Sequence, residues 1–271
     1  MNKKLSQVQK IVLSAMFLAL AIALTYFAKL IQPNGGYLRF SLTPAIIIFS
    51  SLTAGPFYGC LVGAASDLLP AIIIPQGQIN FLITVVYGLL GLVPFFLMKM
   101  VGMFKEFGKR PYLTWGSFIV MFLAIAVILF KTDWVQKAFY KDGVYKQFFG
   151  SSELVIQACA LLILALSFGA TSLMLFLLDK KLKKKGNQTS VYQIAFVCVI
   201  SELLFMVLGK SLSFYFFYGF ISEGSTGSFF FWGPFAILVI AFPVNVLLET
   251  IVNCNLLPLA DKLIKPRGER V

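Results

Sequence analysis

The sequence predicts an all-α protein: a polytopic membrane helix bundle of about eight transmembrane helices, with both termini on the cytoplasmic side. Three observations predict it. Hydrophobic residues make up 59 % of the 271-residue chain and charged residues only 13 %, whereas a soluble domain is about half apolar and about a quarter charged. The mean hydropathy is +0.88. The apolar residues arrive in long runs, separated by polar or glycine- and proline-bearing stretches.

The runs follow one another in order. Residues 11–28 form the first, behind Lys3, Lys4 and Lys10. It is longer than the ~7–15 apolar residues of a signal-peptide core, so it reads as a retained span. A polar loop follows, from Gln32 to Arg39. Residues 42–54 are short for a span, which needs about 20 residues, and Gly55-Pro56 ends them. Residues 57–74 carry Asp67 and Pro70 in their body and end at Pro75-Gln76-Gly77-Gln78. Residues 79–98 precede a basic stretch with Lys99, Lys105, Lys109 and Arg110. Residues 112–130 make a fifth span, and 131–152 are polar. Residues 154–178 make a sixth, ending in Lys180, Lys181, Lys183, Lys184 and Lys185. Residues 191–218 make a seventh, closed by the turn from Ser222 to Ser228. Residues 229–259 make the eighth, before a basic tail.

Charge orients this layout. With the N-terminus inside, sixteen of the 23 Lys and Arg fall on cytoplasmic segments, as the positive-inside rule requires. The net charge of +12 therefore reads as basic cytoplasmic loops rather than a nucleic-acid surface. The expected setting is a cell membrane, the bacterial cytoplasmic membrane in particular.

Several chemistries are excluded. The chain has no histidine, which removes Ser-His-Asp and Cys-His nucleophiles and imidazole metal sites. Cys60, Cys159, Cys198 and Cys254 lie in apolar runs without a C-x-x-C pair, so neither a zinc ribbon nor a disulfide framework is expected. There is no P-loop and no H-E-x-x-H or G-x-S-x-G motif. The sequence therefore predicts no enzyme, no metal and no cofactor.

Ionisable residues within spans cost about 2.5–3.5 kcal/mol on insertion scales and so mark candidates. They are Asp67, Glu202, Lys210 and Glu249. Asp67 follows small residues, Gly63-Ala64-Ala65-Ser66, where helices pack closely. Polar and aromatic groups collect at the outer ends of the spans: Asn34, Tyr37 and Arg39; Gln76, Gln78 and Asn80; Lys210, Tyr215, Tyr218 and Trp232. Amides, a cation and aromatic faces suit a planar polar or anionic small molecule, and Arg39 is suited to a carboxylate. Ala15, Ala19 and Ala23 recur at a spacing of four on one face of the first helix, which allows a close helix approach.

These residues bring a resemblance. Val8-Gln9-Lys10 running into Ala15-Met16-Phe17-Leu18-Ala19-Leu20 is similar to the first helix of the substrate-binding S components of energy-coupling factor (ECF) transporters. So are Leu38-Arg39-Phe40-Ser41-Leu42-Thr43-Pro44, Ala54-Gly55-Pro56-Phe57-Tyr58-Gly59, Tyr87-Gly88-Leu89-Leu90-Gly91 and Phe242-Pro243-Val244-Asn245-Val246 to later helices of that family. The folate type is the nearest resemblance. It implies one membrane domain over 1–271, with four core helices in 7–103, an inserted helix pair in 104–189, the last two core helices in 190–263 and a cytoplasmic tail in 264–271. It also implies capture of a folate-like or other vitamin at the outer face by Asn34, Tyr37, Arg39, Gln76, Gln78, Asn80, Lys210 and Trp232. Ala15, Ala19 and Ala23 would dock a membrane coupling subunit, which works with two ATPase subunits. Asp67, Glu202 and Glu249 would be structural intramembrane charges.

Two other readings stand beside this one. In a stand-alone proton- or sodium-coupled secondary transporter, Asp67, Glu202 and Glu249 would be the coupling carboxylates. A membrane enzyme acting on lipid or isoprenoid would want clustered Asp or His, which the chain lacks.

Overall fold

The computed structural model describes residues 5–31, 42–73, 79–103, 115–116, 118–119, 122–123, 153–184, 191–221 and 227–264. Every element among them is helical.

Helix α1 (Gln7–Ile31) begins at a reciprocal cap. The Ser6 hydroxyl accepts the Gln9 amide at 3.3 Å, and Gln9 Oε1 accepts the Ser6 amide at 3.0 Å. Two otherwise orphaned donors are thus satisfied at the helix start. One face of α1 turns inward at Ala21, while Val8, Ile11, Val12, Met16 and Leu20 stay exposed.

Helix α2 (Thr43–Ala54) carries Pro44 in its first turn, where no amide is needed. All of its residues are buried, so the shortest apolar run is the centre of the bundle. Its far end stops at Gly55, whose φ of 103° is open to glycine and strained for any side chain. The Gly55 amide closes the last turn on the Ser51 carbonyl at 3.1 Å.

Helix α3 (Pro56–Ile73) starts at the next residue and turns back along α2. It packs closely on α4 (Phe81–Met103) because Gly59 and Gly91 put bare backbone against bare backbone. A Cβ on Gly91 would fall on the Gly59 carbonyl, and one on Gly63 would fall on the Tyr87 carbonyl. Thr84 Oγ1 also donates to Asp67 Oδ2 at 2.7 Å across the same two helices.

Helix α5 (Glu153–Lys184) packs against α6 and α8. Thr171 Oγ1 reaches the Pro243 carbonyl of α8 at 3.3 Å. Phe168 meets Phe118 and Phe122 with ring centres 5.6 and 5.9 Å apart. Helix α6 (Val191–Ser201) runs without a break into a π-helical stretch (Glu202–Gly209) and then α7 (Lys210–Ile221). The long α8 (Gly227–Ile264) lies against α2, α5, α6 and α7.

Four segments among the described residues are long and apolar enough to cross a membrane: Gln7–Phe27, Pro56–Ile73, Phe81–Met103 and Val191–Phe217. Large apolar side chains line their outer faces, including Phe57, Leu61, Phe81 and Val85. So much exposed apolar surface is incompatible with water and suits lipid.

Candidate functional site

Between the π-helical stretch and α8 the bundle buries charge. Glu202 is the first residue of the π turn and only 1 % exposed, and Glu249 of α8 is equally buried. The spacing of four along Asn245, Glu249 and Asn253 puts all three on one face of α8. Asn245 Nδ2 donates to Glu202 Oε1 at 2.8 Å. Glu202 and Glu249 are close enough for their charges to act on each other. Asn253 Nδ2 donates to the Glu249 carbonyl at 2.8 Å and extends to the Ala45 carbonyl of α2 at 3.3 Å.

The groups left over are all oxygens. Glu202 Oε2, both Glu249 oxygens, Asn245 Oδ1, Asn253 Oδ1 and the neighbouring Ser201 Oγ are buried without a hydrogen-bond partner among the described residues. Buried polar atoms are normally paired. The cluster is therefore rich in hydrogen-bond acceptors. The backbone beside it is of a kind, the π-type turn, that recurs at functional sites. Here the wide turn carries Glu202 at its start and hands the chain to Lys210, whose amide bonds back to the Phe205 carbonyl.

Lys210 lies further along the same continuous helix. Its Nζ donates to the Tyr87 hydroxyl of α4 at 2.8 Å, and its charge acts on Glu202. The same Nζ lies 4.7 Å from the Tyr87 ring centre, but the short bond to the hydroxyl is the contact that orients it. Beyond it, Asn80 is 9 % exposed. Its Oδ1 accepts the Leu82 amide at 3.0 Å, capping α4, and its Nδ2 extends to the Ser213 carbonyl of α7 at 3.3 Å.

The residues expected from sequence therefore fall into three groups. Glu202 and Glu249 meet, with Lys210 beside them. Asn80 lies between α4 and α7. Asp67 lies apart, bonded to Thr84 on the α3–α4 seam. Asn34, Tyr37, Arg39, Gln76 and Gln78 lie outside the described residues. Trp232 is in α8, with its side chain outside them. Ala15, Ala19 and Ala23 share one exposed face of α1. Asn245, Asn253, Ser201 and Tyr87 were not singled out by the sequence reading. The spacing of four through Asn245, Glu249 and Asn253 was the signal that could have found two of them.

Comparison with known families gives this arrangement its context. Residues 5–175 match the model of the ECF-type riboflavin transporter, S component. The match covers more than half of the chain. The chain belongs to this family. No curated protein and no solved structure matches it. As an ECF S component it is a transport subunit rather than an enzyme, and its apolar helices make it a multi-pass membrane protein. Among the described residues no group of three or more His, Cys, Asp or Glu could hold a metal ion.

Proposed function

We propose that this chain is the substrate-binding membrane subunit of an ATP-driven ECF-type vitamin importer, and that its cargo is a planar, nitrogen-rich ring vitamin. The family match over residues 5–175 carries the reading. That family is named for riboflavin, whereas the sequence resemblance points to the folate type. Both vitamins present N–H donors from a flat ring, and riboflavin adds the hydroxyls of its side chain. The unpartnered oxygens of Glu202, Asn245 and Glu249 suit such donors, because an unpaired buried acceptor costs about 1–3 kcal/mol until it is bonded. Arg39, Asn34, Tyr37, Gln76, Gln78 and Trp232 complete the site from the outer side in this reading, with Lys210 and Asn80 at its wall.

The rest of the importer follows from the same reading. The chain sits in a bacterial cytoplasmic membrane with about eight spans and both termini inside. The exposed alanine face of α1 receives a membrane coupling subunit that works with two ATPase subunits. Asp67 holds α3 to α4 through Thr84. Mass spectrometry of small molecules released from the gently purified chain tests the cargo. Stoichiometric riboflavin supports the flavin form and folate the folate form. A purified chain that binds neither when either is added back overturns the reading. For docking, Ala15→Trp is expected to abolish assembly with the coupling subunit while leaving cargo bound, and an intact complex would sink that assignment.

The buried carboxyl pair favours one second reading, a stand-alone proton- or sodium-coupled transporter that uses Glu202 and Glu249. Uptake by the lone chain in ATP-free vesicles, abolished by an uncoupler or by removing sodium, would support it.

A further inference from the structure

The periphery of the bundle holds a second feature that cargo binding does not use. A groove of about 880 Å³ lies between the helical pieces at 115–123, α5 and the start of α6. Its volume is at the upper end of the range of ligand pockets, roughly 300–1,000 Å³. Phe118 and Phe168 form its buried floor, while Ile119, Leu173 and Phe176 on its rim are exposed. The wall is almost wholly hydrocarbon and aromatic, and it opens where a membrane helix meets lipid.

One end of the groove changes character. On α5 the lining residues Ala165, Phe168, Gly169, Ser172, Leu173 and Phe176 recur at three and four, which defines a single stripe. One turn further, the same stripe reaches Asp179, Lys180 and Lys183. Lys183 Nζ pairs with Asp179 Oδ2 at 2.6 Å, so that carboxylate is already neutralised. Lys180 and Lys181 are exposed beside it, within a run that continues to Lys185. Tyr192, which also lines the groove, lies within the field of the Asp179–Lys183 pair. An apolar slot that ends in an amphipathic ring and a net positive patch matches one molecule in its surroundings. Tyrosine favours the headgroup level, and basic pockets beside membrane helices bind anionic headgroups.

We propose that this groove holds an anionic phospholipid, with its acyl tails along Phe118, Phe168 and Leu173 and its headgroup on Lys180, within the positive field of the adjacent Lys181. The site is separate from the carboxyl–amide cluster and does not depend on which vitamin is carried. The lipid would act as a wedge fixing α5, Phe118 and Phe122 to the core.

The test is native mass spectrometry of the full chain released from bilayer discs containing equal parts phosphatidylglycerol and phosphatidylcholine. The wild type is expected to retain one phosphatidylglycerol in preference to phosphatidylcholine. Lys180→Gln with Lys181→Gln is expected to reduce that preference on the order of tenfold, since each lysine near a surface attracts anionic lipid. Ser172→Trp puts an indole into the middle of the groove, where an acyl tail would lie, and is expected to lose the retained lipid. Equal retention of the two lipids by the wild type would overturn the proposal, as would undiminished phosphatidylglycerol retention by a folded Ser172→Trp protein. Should Ser172→Trp fail to fold, the double lysine variant decides alone, because its changes are on the surface. Loss of preference supports the site, and an unchanged preference overturns it.

Discussion

Between α3 and α4 the chain brings bare backbone together, with Gly59 against Gly91 and Gly63 against Tyr87. Between the π-helical stretch and α8 it brings carboxyls and amides together, with Glu202, Asn245 and Glu249 in one buried cluster. Both seams are buried, and they are built differently. In lipid there is little hydrophobic drive to join helices, so association relies on close packing and interhelical bonds. The glycine seam satisfies that need through backbone contact, with the Thr84–Asp67 bond across it. The polar seam leaves several oxygens unpartnered. Under the proposed function, unpaired acceptors are of use in a seam that receives a guest and of none in a seam that only holds helices together. On that reading the difference separates scaffold from site in this bundle.

The sharpest way to break the comparison is to put a side chain into the glycine seam. Gly91→Val would drive its Cβ into the Gly59 carbonyl, and neither backbone can yield without parting the helices. Overpacking commonly costs about 1–3 kcal/mol and sometimes more. The rigid backbone contact places this case at the upper end, so little folded protein is expected in a detergent melt. Gly102→Ala is the control. Its Cβ would meet open space, and alanine is the better helix former by roughly 1 kcal/mol, so its melt should be unchanged or higher.

The polar seam should behave the other way round. Glu249→Gln keeps the shape and gives Glu202 a possible N–H donor, so stability is expected to stay within about 1 kcal/mol, in line with the modest worth of interhelical bonds in membranes. Cargo retention should fall at least about tenfold, the loss of one bond to a charged group. Asn245→Leu removes the amide that donates to Glu202 and is expected to cost about 1–3 kcal/mol as well as binding. Melting and ligand retention measured on the same preparation separate the two effects. A Glu249→Gln protein that melts early yet binds normally would make the seam structural.

Smaller effects belong to the bridge between the two regions. Lys210 joins the site helix to α4 through the Tyr87 hydroxyl. Tyr87→Phe removes the acceptor alone and is expected to cost about 0.6 kcal/mol, the average for interhelical bonds in a membrane protein. A shift in cargo affinity beyond that amount would mean that Tyr87 also orients Lys210 toward the guest.

Much of this was legible in the chain. The apolar runs anticipate α1 to α4, α5, the joined α6 and α7, and α8, because lipid imposes length and composition on any span. The ends were less legible. Helix α4 continues past Lys99 to Met103, since a lysine can send its charge outward while its stem stays on the helix. The short run at 42–54 looked like an incomplete span, whereas α2 is buried on every side. Burial depends on neighbours that no local window contains. The π-helical stretch at Glu202–Gly209 has no apolar signature of its own, because its register depends on what α4 and α8 place against it. Glu202 and Glu249 could be marked as costly from sequence, but their meeting across 47 residues could not. Asn34, Tyr37, Arg39, Gln76 and Gln78 fall in connecting segments, where chemistry is readable and position is not.

The weakest expected effect lies at the far end of α5 and belongs to neither seam. Lys183 is held above the ordinary lysine pKa, first by its hydrogen bond to Asp179 and then by the attraction of that carboxylate, against some desolvation. A lysine whose pKa is raised on folding adds stability that is fully present below its unfolded pKa, about 10.4, and is lost as pH rises through the folded value. The melting difference between wild type and Lys183→Met should therefore be constant through neutral pH and shrink above about pH 10. Lys183 is 70 % exposed, so water and salt screen the pair and the difference should be small even at its largest. A difference that widened at high pH would mean that the bond to Asp179 does not form in solution. A large difference at neutral pH would instead place this pair among the groups that hold α5 to the core.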